Sequence, residues 1–345
     1  MSNLDDAIKD LAKLGITMAS QDITQQASKI EKFSTGLMSL DFILGGGYPK
    51  GRIIEIYGWE SSGKSTLCLL SLAAVQRMGG TACLLDMEHA YDPVWAQKMG
   101  IDDSKLLKFQ PDSGEQAFVA LDRLAAAGAV QLIVVDSLAA MIPQKELEAE
   151  IGEMTVGLQA RMMSQGLRRL TATAAKAGTT IIFINQLRQK VGVIYGNPEV
   201  TPGGMALKFY ASLRFKVSKK EKLQDSKDDP VFGHKVKVDV IKTKVSQPYL
   251  NADFNMMFAG GIDQIVDTIS AAMAAGVIKK EGTAYTHNGE RIAIGHDATI
   301  EALRSDPVVY ESVREEISKK IQELKGTVLR PVTADAVLDK KPRKK

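Results

Sequence analysis

The sequence predicts an α/β fold in which a mostly parallel, twisted sheet is covered by helices on both faces. Five apolar, β-rich runs predict the strands, with helical stretches between the first four: residues 52–57, 81–86, 130–136, 179–185 and 235–241. Their apolar residues are continuous rather than alternating, which is typical of parallel strands buried on both faces. A glycine-bracketed loop between the first run and a helical stretch favours the same class. Since such sheets bind ligands beyond the carboxyl ends of their strands, functional residues are expected there.

The chain has 345 residues, enough for one large core and a smaller satellite domain. Its net charge is only +3, so affinity for nucleic acid would have to come from local basic patches rather than from a global field. Its two cysteines fall in apolar segments and indicate buried core thiols in a reducing compartment, not a disulfide framework. No signal peptide or membrane-spanning run is recognisable, so we expect a cytoplasmic protein.

The chain divides by composition into four segments. An amphipathic helix is predicted near residues 3–14; it either caps the core of its own chain or docks on a neighbouring subunit. The composition of the chain then changes at three further places: at the end of a polar linker, after Gly260-Gly261, and at the start of a basic tail. The predicted segments are the N-terminal helix with its linker at 1–32, a large core at 33–260, a small α+β domain at 261–328 and a disordered tail at 329–345.

The loop after the first apolar run has the pattern G-x-x-x-x-G-K-[ST], which is typical of a polyphosphate site. Strand, loop and helix N-terminus together direct backbone N–H groups at one point, where they favour an anion. Lys64 can reach the β- and γ-phosphates of a nucleotide, and the Ser65 hydroxyl can ligate Mg²⁺. The predicted ATP contacts are Gly58, Trp59, Glu60, Ser61, Ser62, Gly63, Lys64, Ser65 and Thr66.

Acidic residues follow two further strands. Asp136 ends the third run, where it would hold the metal directly or through water; its alternative role is a helix N-cap. The next residue is Ser137, although many ATPases place a catalytic glutamate there. Glu88, just beyond the second run, is therefore the candidate base if that strand neighbours the first, and a solvated loop carboxylate otherwise.

The fourth run ends at Gln186, whose amide can donate to a γ-phosphate. The 18 residues that follow, 187–204, contain four glycines and two prolines, and a loop of this length in a compact domain is usually functional. Its basic residues suit contact with the phosphates of single-stranded nucleic acid, and Tyr195 suits stacking on its bases. With a basic helix that carries Arg161, Ser164 and Arg168, the loop predicts a DNA channel, the alternative being ordinary surface loops.

Two other features have competing interpretations. Trp95, near Asp92 in the loop after the second run, is either a platform for adenine or a core residue. In the fifth run, Val236-Lys237-Val238-Asp239-Val240, every second residue is a valine that would face the core. If the alternation continues, Lys242 and Lys244 fall on that same buried face. They mark either an early strand end or cations that reach a neighbouring subunit's nucleotide.

Residues 261–328 predict a small unit of helices and one hairpin. A helix is expected near 262–275, a hairpin turn at Asn288-Gly289, and a helix N-terminus at Asp306-Pro307.

From Phe33 to about Lys325 the chain resembles the bacterial RecA recombinase family. The matching segments are STGLMSLDFILGGGYPKGRIIEIYGWESSGKSTL, DMEHAYDP, LIVVDSLAAM, GLQARMMSQGLRRL, FINQLRQKVGVIYGNPEVTPGGMALKFYAS and VIKTKVSQPY. The resemblance implies a RecA-like P-loop ATPase that uses ATP and Mg²⁺, forms helical filaments on single-stranded DNA, pairs it with homologous duplex and exchanges strands in recombination and repair. It also allows a co-protease role toward a LexA-type repressor in the SOS response to DNA damage, and it implies no membrane partner.

The resemblance also assigns roles to individual residues. It implies that Glu88 is the catalytic carboxylate, that Gln186 couples the γ-phosphate to the DNA loop, and that Asp92 and Trp95 bracket adenine. Lys242 and Lys244 would act across the subunit interface, which would include Phe209. The implied DNA contacts are Arg161, Ser164, Arg168, Val191, Gly203 and Gly204.

Three departures from the family pattern stand out. Trp59 replaces the usual proline of the phosphate loop, Trp95 replaces a tyrosine, and the tail is basic where the best-known members end in an acidic tail. Two other functions share the same core: a hexameric helicase, and a coating protein whose ATPase only regulates its occupancy of DNA.

Overall fold

The computed structural model describes residues 2–13, 30–150, 153, 157–190, 192, 198–224, 226, 228–246 and 249–324. The strands are β1 Lys32–Phe33, β2 Tyr48–Pro49, β3 Ile53–Gly58, β4 Ala82–Asp86, β5 Leu107–Phe109, β6 Leu132–Asp136, β7 Thr180–Gln186, β8 Arg188–Gln189, β9 Glu199–Val200, β10 Leu213–Leu223, β11 Gly233–Thr243, β12 Asn251–Met257, β13 Gly261–Ile262, β14 Ile278–Glu281, β15 Ala284–His287 and β16 Glu290–Ile294. The helices are α1 Ser2–Lys13, α2 Met38–Ile43, α3 Lys64–Arg77, α4 Pro93–Lys98, α5 Gly114–Ala126, α6 Gln144–Leu147, α7 Leu158–Ala177, α8 Ala206–Tyr210, α9 Gln264–Ala275, α10 His296–Ser305 and α11 Pro307–Leu324.

Within the described residues the main sheet has nine strands, in the order β13-β12-β11-β10-β3-β7-β6-β4-β5. The six strands from β10 to β5 are parallel to their neighbours, whereas β11, β12 and β13 are added antiparallel. The predicted mostly parallel α/β sheet is confirmed, and the fifth predicted run, β11, is one of the antiparallel strands. The sequence prediction missed β10 and β12, because their buried residues alternate with polar ones, a pattern typical of antiparallel strands with one exposed face.

Successive residues of the central strands point to opposite faces of the sheet, so two core layers form. Ile54 and Ile56 of β3 lie in the layer that α3 covers, while Ile53 lies in the layer that α5 and α7 cover. The two cysteines divide in the same way. Cys68 of α3 belongs to the first layer and Cys83 of β4 to the second, both as buried free thiols.

The C-terminal part folds around its own apolar cluster, which includes Ile269, Tyr285 and Val313. Its predicted elements are confirmed: the 262–275 helix is α9, and the Asn288-Gly289 turn joins β15 to β16, with φ angles of 52° and 83°. Asp306 caps α11 by accepting from Val308 N and Val309 N. Helix α1 is also present as predicted. The described residues contain no helix that is long and apolar enough to cross a bilayer.

A buried carboxylate joins the C-terminal part to the core. Asp267 of α9 is 2% exposed and accepts from Met38 N at 2.7 Å and from Ser39 N at 3.3 Å, at the start of α2. The Ser39 hydroxyl also donates to it. Burial raises the pKa of Asp267 to about 6, although these hydrogen bonds act in the opposite direction.

We expect Asp267 to make the free energy of unfolding depend on pH. Its folded pKa lies above the unfolded value of 3.8, so the folded state binds more protons and gains stability as the pH falls from about 6 toward 4. The gain is about 3 kcal/mol at most. Urea unfolding at several pH values should show this gain in the wild type but not in Asp267→Asn, whereas the exposed control Asp297→Asn should keep it. Equal pH slopes in wild type and Asp267→Asn would contradict the assignment.

Candidate nucleotide and nucleic-acid site

The phosphate loop is shaped by two residues with positive φ and by one close backbone contact. Ser61 and Gly63 have φ angles of 54° and 95°, and a Cβ on Gly58 would lie 2.2 Å from Val217 O. The Ser62 hydroxyl is 2% exposed and has no hydrogen-bond partner among the described residues, so it is free to donate to an anion. Because α3 begins at Lys64, the first N–H groups of that helix complete a site that fits a polyphosphate.

Lys64 is held within its own loop. Its Nζ donates to Trp59 O at 2.7 Å, and its side chain is largely buried. Burial lowers the pKa of Lys64, and the nearby carboxylates of Asp136 and Glu88 act against that shift. The ammonium group is therefore bound to its own loop and lies near the acidic residues that the sequence predicted.

The predicted metal ligands Ser65 and Asp136 contact each other. Burial raises the pKa of Asp136 to about 6, while its hydrogen bond with the Ser65 side chain has a smaller, opposite effect. One hydroxyl and one carboxylate oxygen side by side suit Mg²⁺, which usually takes one or two protein ligands and completes its shell with phosphate and water. Ser65 on α3 and Asp136 at the end of β6 thus fit the predicted metal.

Glu88 reaches the same site by a route that the sequence did not predict. The condition that its strand neighbours the first strand is not met, because β6 and β7 lie between β4 and β3. Instead, the chain after β4 turns across the end of β6, where Met87 N and Glu88 N donate to Asp136 O at 2.7 and 3.3 Å. This turn brings Glu88 Oε1 to the Ser137 hydroxyl and to Gln186 Nε2, the latter at 3.2 Å. Residues from the ends of β4, β6 and β7 therefore meet.

Asp92 and Trp95 line the same cavity as Ser65, Glu88 and Asp136. Asp92 caps α4 by accepting from Val94 N and Trp95 N, so the capping role explains part of its geometry. Trp95 is half-buried against the core and donates from Nε1 to Thr66 Oγ1 at 3.1 Å. Its ring thus combines core packing with a place on the wall of the cavity.

Beneath the site lies a buried polar network that sequence reasoning missed. Glu55 of β3 is 0% exposed; it binds Arg214 Nε at 2.5 Å and Asn185 Nδ2 at 3.0 Å. Asn185 also donates to Pro202 O at 3.3 Å, and the Arg214 guanidinium lies 4.8 Å from the Tyr57 ring centroid. The available signal was a glutamate inside an otherwise apolar run, since a buried charge requires a partner.

The predicted DNA loop contains a small hairpin. Strands β8 and β9 pair antiparallel, with Gln189 opposite Glu199. The loop returns to the core at Gly203 and Gly204, where an added Cβ would lie 2.7 Å from Leu138 Cδ2 and 2.9 Å from Ala160 Cβ, respectively. Close packing against Leu138 thus requires Gly203, and close packing against the start of α7 requires Gly204.

The basic positions of α7 share one side of that helix. Arg161 and Arg168 are exposed and Ser164 is half-buried, at the spacing of one helical face. Val191 and Tyr195, which were also predicted to contact DNA, lie outside the described residues.

Lys242 does not lie on the buried side of β11, and Lys244 lies just beyond the end of the strand, so that expectation is wrong. Val240 pairs with Phe215, but Lys242 pairs with Arg214, so Ile241 is an extra residue in a β-bulge. The bulge shifts Lys242 to the face opposite Phe215, and the strand continues to Thr243 rather than ending early.

The two lysines instead contact the C-terminal end of α8. Lys242 Nζ donates to Lys208 O at 2.6 Å and to Phe209 O at 3.1 Å, and Lys244 Nζ donates to Phe209 O at 3.3 Å. Two cations on terminal carbonyls are a favourable arrangement for a helix end. Phe209 itself is 67% exposed, so an aromatic ring and two lysines share one surface.

Comparison with known proteins accounts for nearly the whole chain. The model of the RecA N-terminal domain matches residues 2–263, and the model of the RecA C-terminal domain matches residues 266–322. Among similar proteins, Protein RecA of Thermus thermophilus is 46% identical over 325 residues, 93% of this chain and 95% of that protein. Protein RecA of Trichormus variabilis is 44% identical over 91% of this chain and 86% of its own length.

A plant relative is longer. The chloroplastic DNA repair protein recA homolog 1 of Arabidopsis thaliana is 46% identical over 293 residues, which are 85% of this chain and 66% of that protein. The similarity therefore extends over both bacterial and organellar relatives.

Proposed function

The chain belongs to the RecA family, and we propose that it is a recombinase of DNA recombination and repair: a DNA-dependent ATPase that forms helical filaments on single-stranded DNA, pairs that DNA with homologous duplex and exchanges strands. The observation that carries this proposal is the position of Gln186. Its side chain binds Glu88, and the chain after it continues directly into the hairpin of β8 and β9. A movement of that hairpin would displace the amide from the carboxylate.

In the proposed hydrolysis site, ATP lies along the phosphate loop. The loop N–H groups and Lys64 bind the phosphates, and the Ser62 hydroxyl donates to a phosphate oxygen. Ser65 and Asp136 would hold Mg²⁺, which neutralises charge on the phosphates. Asp92 and Trp95, which line the same cavity, would flank the adenine.

Glu88 is the proposed base, because its carboxylate is positioned by two donors beside the metal site. The Ser137 hydroxyl and the Gln186 amide fix Glu88 Oε1, which leaves the second oxygen to orient the attacking water. Ser137 thus occupies the position where many ATPases carry the glutamate itself, and it supports the carboxylate that comes from β4.

DNA is proposed to bind where the loop of residues 187–204 meets α7. The exposed Arg161 and Arg168 supply charge, Ser164 supplies a hydroxyl, and the close packing of Gly204 on Ala160 places the loop backbone beside the same helix. Contacts of this kind with phosphates carry little sequence information, as a recombinase requires.

The neighbouring subunit is proposed to bind at the surface that carries Phe209. An exposed phenylalanine beside Lys242 and Lys244 offers an apolar anchor and two cations that could approach a nucleotide in the next subunit. Helix α1 would dock on a neighbour in the same filament.

We further propose that residues 33–260 form the ATPase core and that residues 261–328 form a separate small domain. We also propose that the protein acts in the cytoplasm and supports self-cleavage of a LexA-type repressor.

ATP hydrolysis with and without single-stranded DNA, combined with negative-stain imaging of the same samples, tests the proposal. We expect DNA to stimulate hydrolysis and a non-hydrolysable ATP analogue to give helical filaments. Closed rings without filaments would instead indicate a hexameric helicase. Filaments that form no joint molecules with homologous duplex would indicate a coating protein.

A further inference from the structure

Trp59 links the phosphate loop to the hairpin of the DNA loop. It is the second residue of the phosphate loop, its side chain is 42% exposed, and its indole Nε1 donates to Glu199 Oε1 at 3.3 Å. Glu199 lies on β9, on the far side of the hairpin that begins after Gln186. The contact therefore spans 140 residues of sequence and joins two loops with different proposed ligands.

The carboxylate that receives this bond is held from a third element. Lys216 Nζ of β10 contacts Glu199 Oε2 at 2.6 Å, and the side chains of this ion pair are only 27% and 22% exposed. Lys216 is opposite Tyr57 in the register between β10 and β3, one residue before the phosphate loop starts. The pairing of β10 with β3 therefore places Lys216, and the Glu199 carboxylate bound to it, close to the start of the phosphate loop.

The backbone of Trp59 is engaged by a group that a nucleotide would recruit. Its carbonyl oxygen accepts from Lys64 Nζ at 2.7 Å. A γ-phosphate is a stronger partner for an ammonium group than a neutral carbonyl, because both partners are then charged. When Lys64 turns to a phosphate, the Trp59 carbonyl loses its donor and the loop at this residue is released from Lys64.

From these contacts we infer that Trp59 is a positioning residue that couples the occupancy of the phosphate loop to the conformation of the β8–β9 hairpin. Its backbone responds to Lys64, and its indole N–H transmits the change to Glu199. This route is separate from the contact between Gln186 and Glu88, and it enters the hairpin from the opposite strand. The inference rests on the proposed function, since it assumes that the two loops bind nucleotide and DNA.

The first test uses Trp59 as its own reporter. The chain has only two tryptophans, so Trp95→Phe leaves Trp59 as the sole source of indole fluorescence. Addition of Mg²⁺ with ADP or a non-hydrolysable ATP analogue should shift the emission of this variant. The shift should be at least halved when Glu199→Gln is added, because the uncharged amide interacts more weakly with the indole and with Lys216. An emission that nucleotide does not change, or a shift that Glu199→Gln leaves intact, would overturn the inference.

The second test is a double-mutant cycle on the DNA concentration that gives half-maximal stimulation of hydrolysis. Trp59→Phe keeps an aromatic ring but removes the N–H, and it should raise that concentration about fivefold, as expected for one lost hydrogen bond. Glu199→Gln should act similarly, and the double variant should be no worse than either single variant. In the control cycle, Trp59→Phe is combined with Glu221→Gln, an exposed carboxylate on β10, and the effects should multiply. Multiplying effects for Trp59 with Glu199 would show that the two residues act independently, against the inference.

The two tests separate failure of the inference from failure of the proposed function. If the wild type shows no DNA-stimulated hydrolysis, the proposed function fails, and the nucleotide-dependent emission of Trp59 still decides whether Trp59 responds to the phosphate loop. If the wild type is stimulated by DNA but the cycle shows no coupling, the inference alone is wrong.

Discussion

Replacement of Glu88 by glutamine should lower the rate of ATP hydrolysis by about 10²- to 10⁴-fold, the range expected when a general base is removed. The amide has the same shape as the carboxylate, and its carbonyl oxygen can still accept from Ser137 and Gln186. It cannot take a proton from water. The variant should therefore still bind ATP and single-stranded DNA while it fails to turn over. The measurement is steady-state hydrolysis, with nucleotide and DNA binding determined in parallel.

A graded control comes from the residue that positions Glu88. Ser137→Ala removes one of the two donors to Glu88 Oε1 but leaves the base in place. We expect about a tenfold loss of kcat, smaller than the loss in Glu88→Gln. Full hydrolysis by Glu88→Gln would exclude Glu88 as the base, and loss of ATP binding in that variant would assign it a different role.

The largest effect on stability is expected from Arg214→Met. This change leaves the carboxylate of Glu55, which is 0% exposed, with Asn185 but without its cation. An uncompensated buried charge typically costs about 3–5 kcal/mol, so the free energy of unfolding should fall by that amount. Urea or thermal unfolding of the purified variant measures the loss.

Two further variants separate the loss of the ion pair from the loss of the arginine itself. In the double variant Glu55→Gln with Arg214→Met, the buried charge is gone and most of the stability should return. Arg291→Met, a matched change at an exposed arginine of β16, should alter stability by no more than about 0.5 kcal/mol. If Arg214→Met is as stable as Arg291→Met, the buried pair contributes no net stabilisation.

The fold could be predicted because its information is local. Continuous apolar runs identified the central strands, and the glycines and Lys64 identified the phosphate loop, because both patterns depend only on neighbouring residues. The order of the strands across the sheet could not be predicted in this way. Nothing in the run that precedes Glu88 shows that two other strands separate it from β3, and only the turn across the end of β6 restores the predicted proximity.

Lys242 and Lys244 show a second limit of prediction from sequence patterns. A strict period of two assumes an unbroken ladder, and one extra residue at Ile241 reverses the side to which every later residue points. The network of Glu55, Asn185 and Arg214 was missed for a related reason. Its members lie far apart in sequence, and only the pairing of β3 with both β7 and β10 brings them together.

Because the two cysteines lie in different core layers, the local opening of each layer can be measured separately. Burial raises the pKa of the Cys83 thiol to about 12 and that of Cys68 well above its ordinary value, so neither thiolate forms readily in the folded chain. An alkylating reagent can modify each one only after its own layer opens, and the labelling rate then reports the equilibrium of that opening. Cys68 lies on the helix that follows the phosphate loop, and Cys83 lies in the opposite layer. Mass spectrometry of the two labelled peptides would therefore measure separately how often each side of the sheet opens in the wild-type protein.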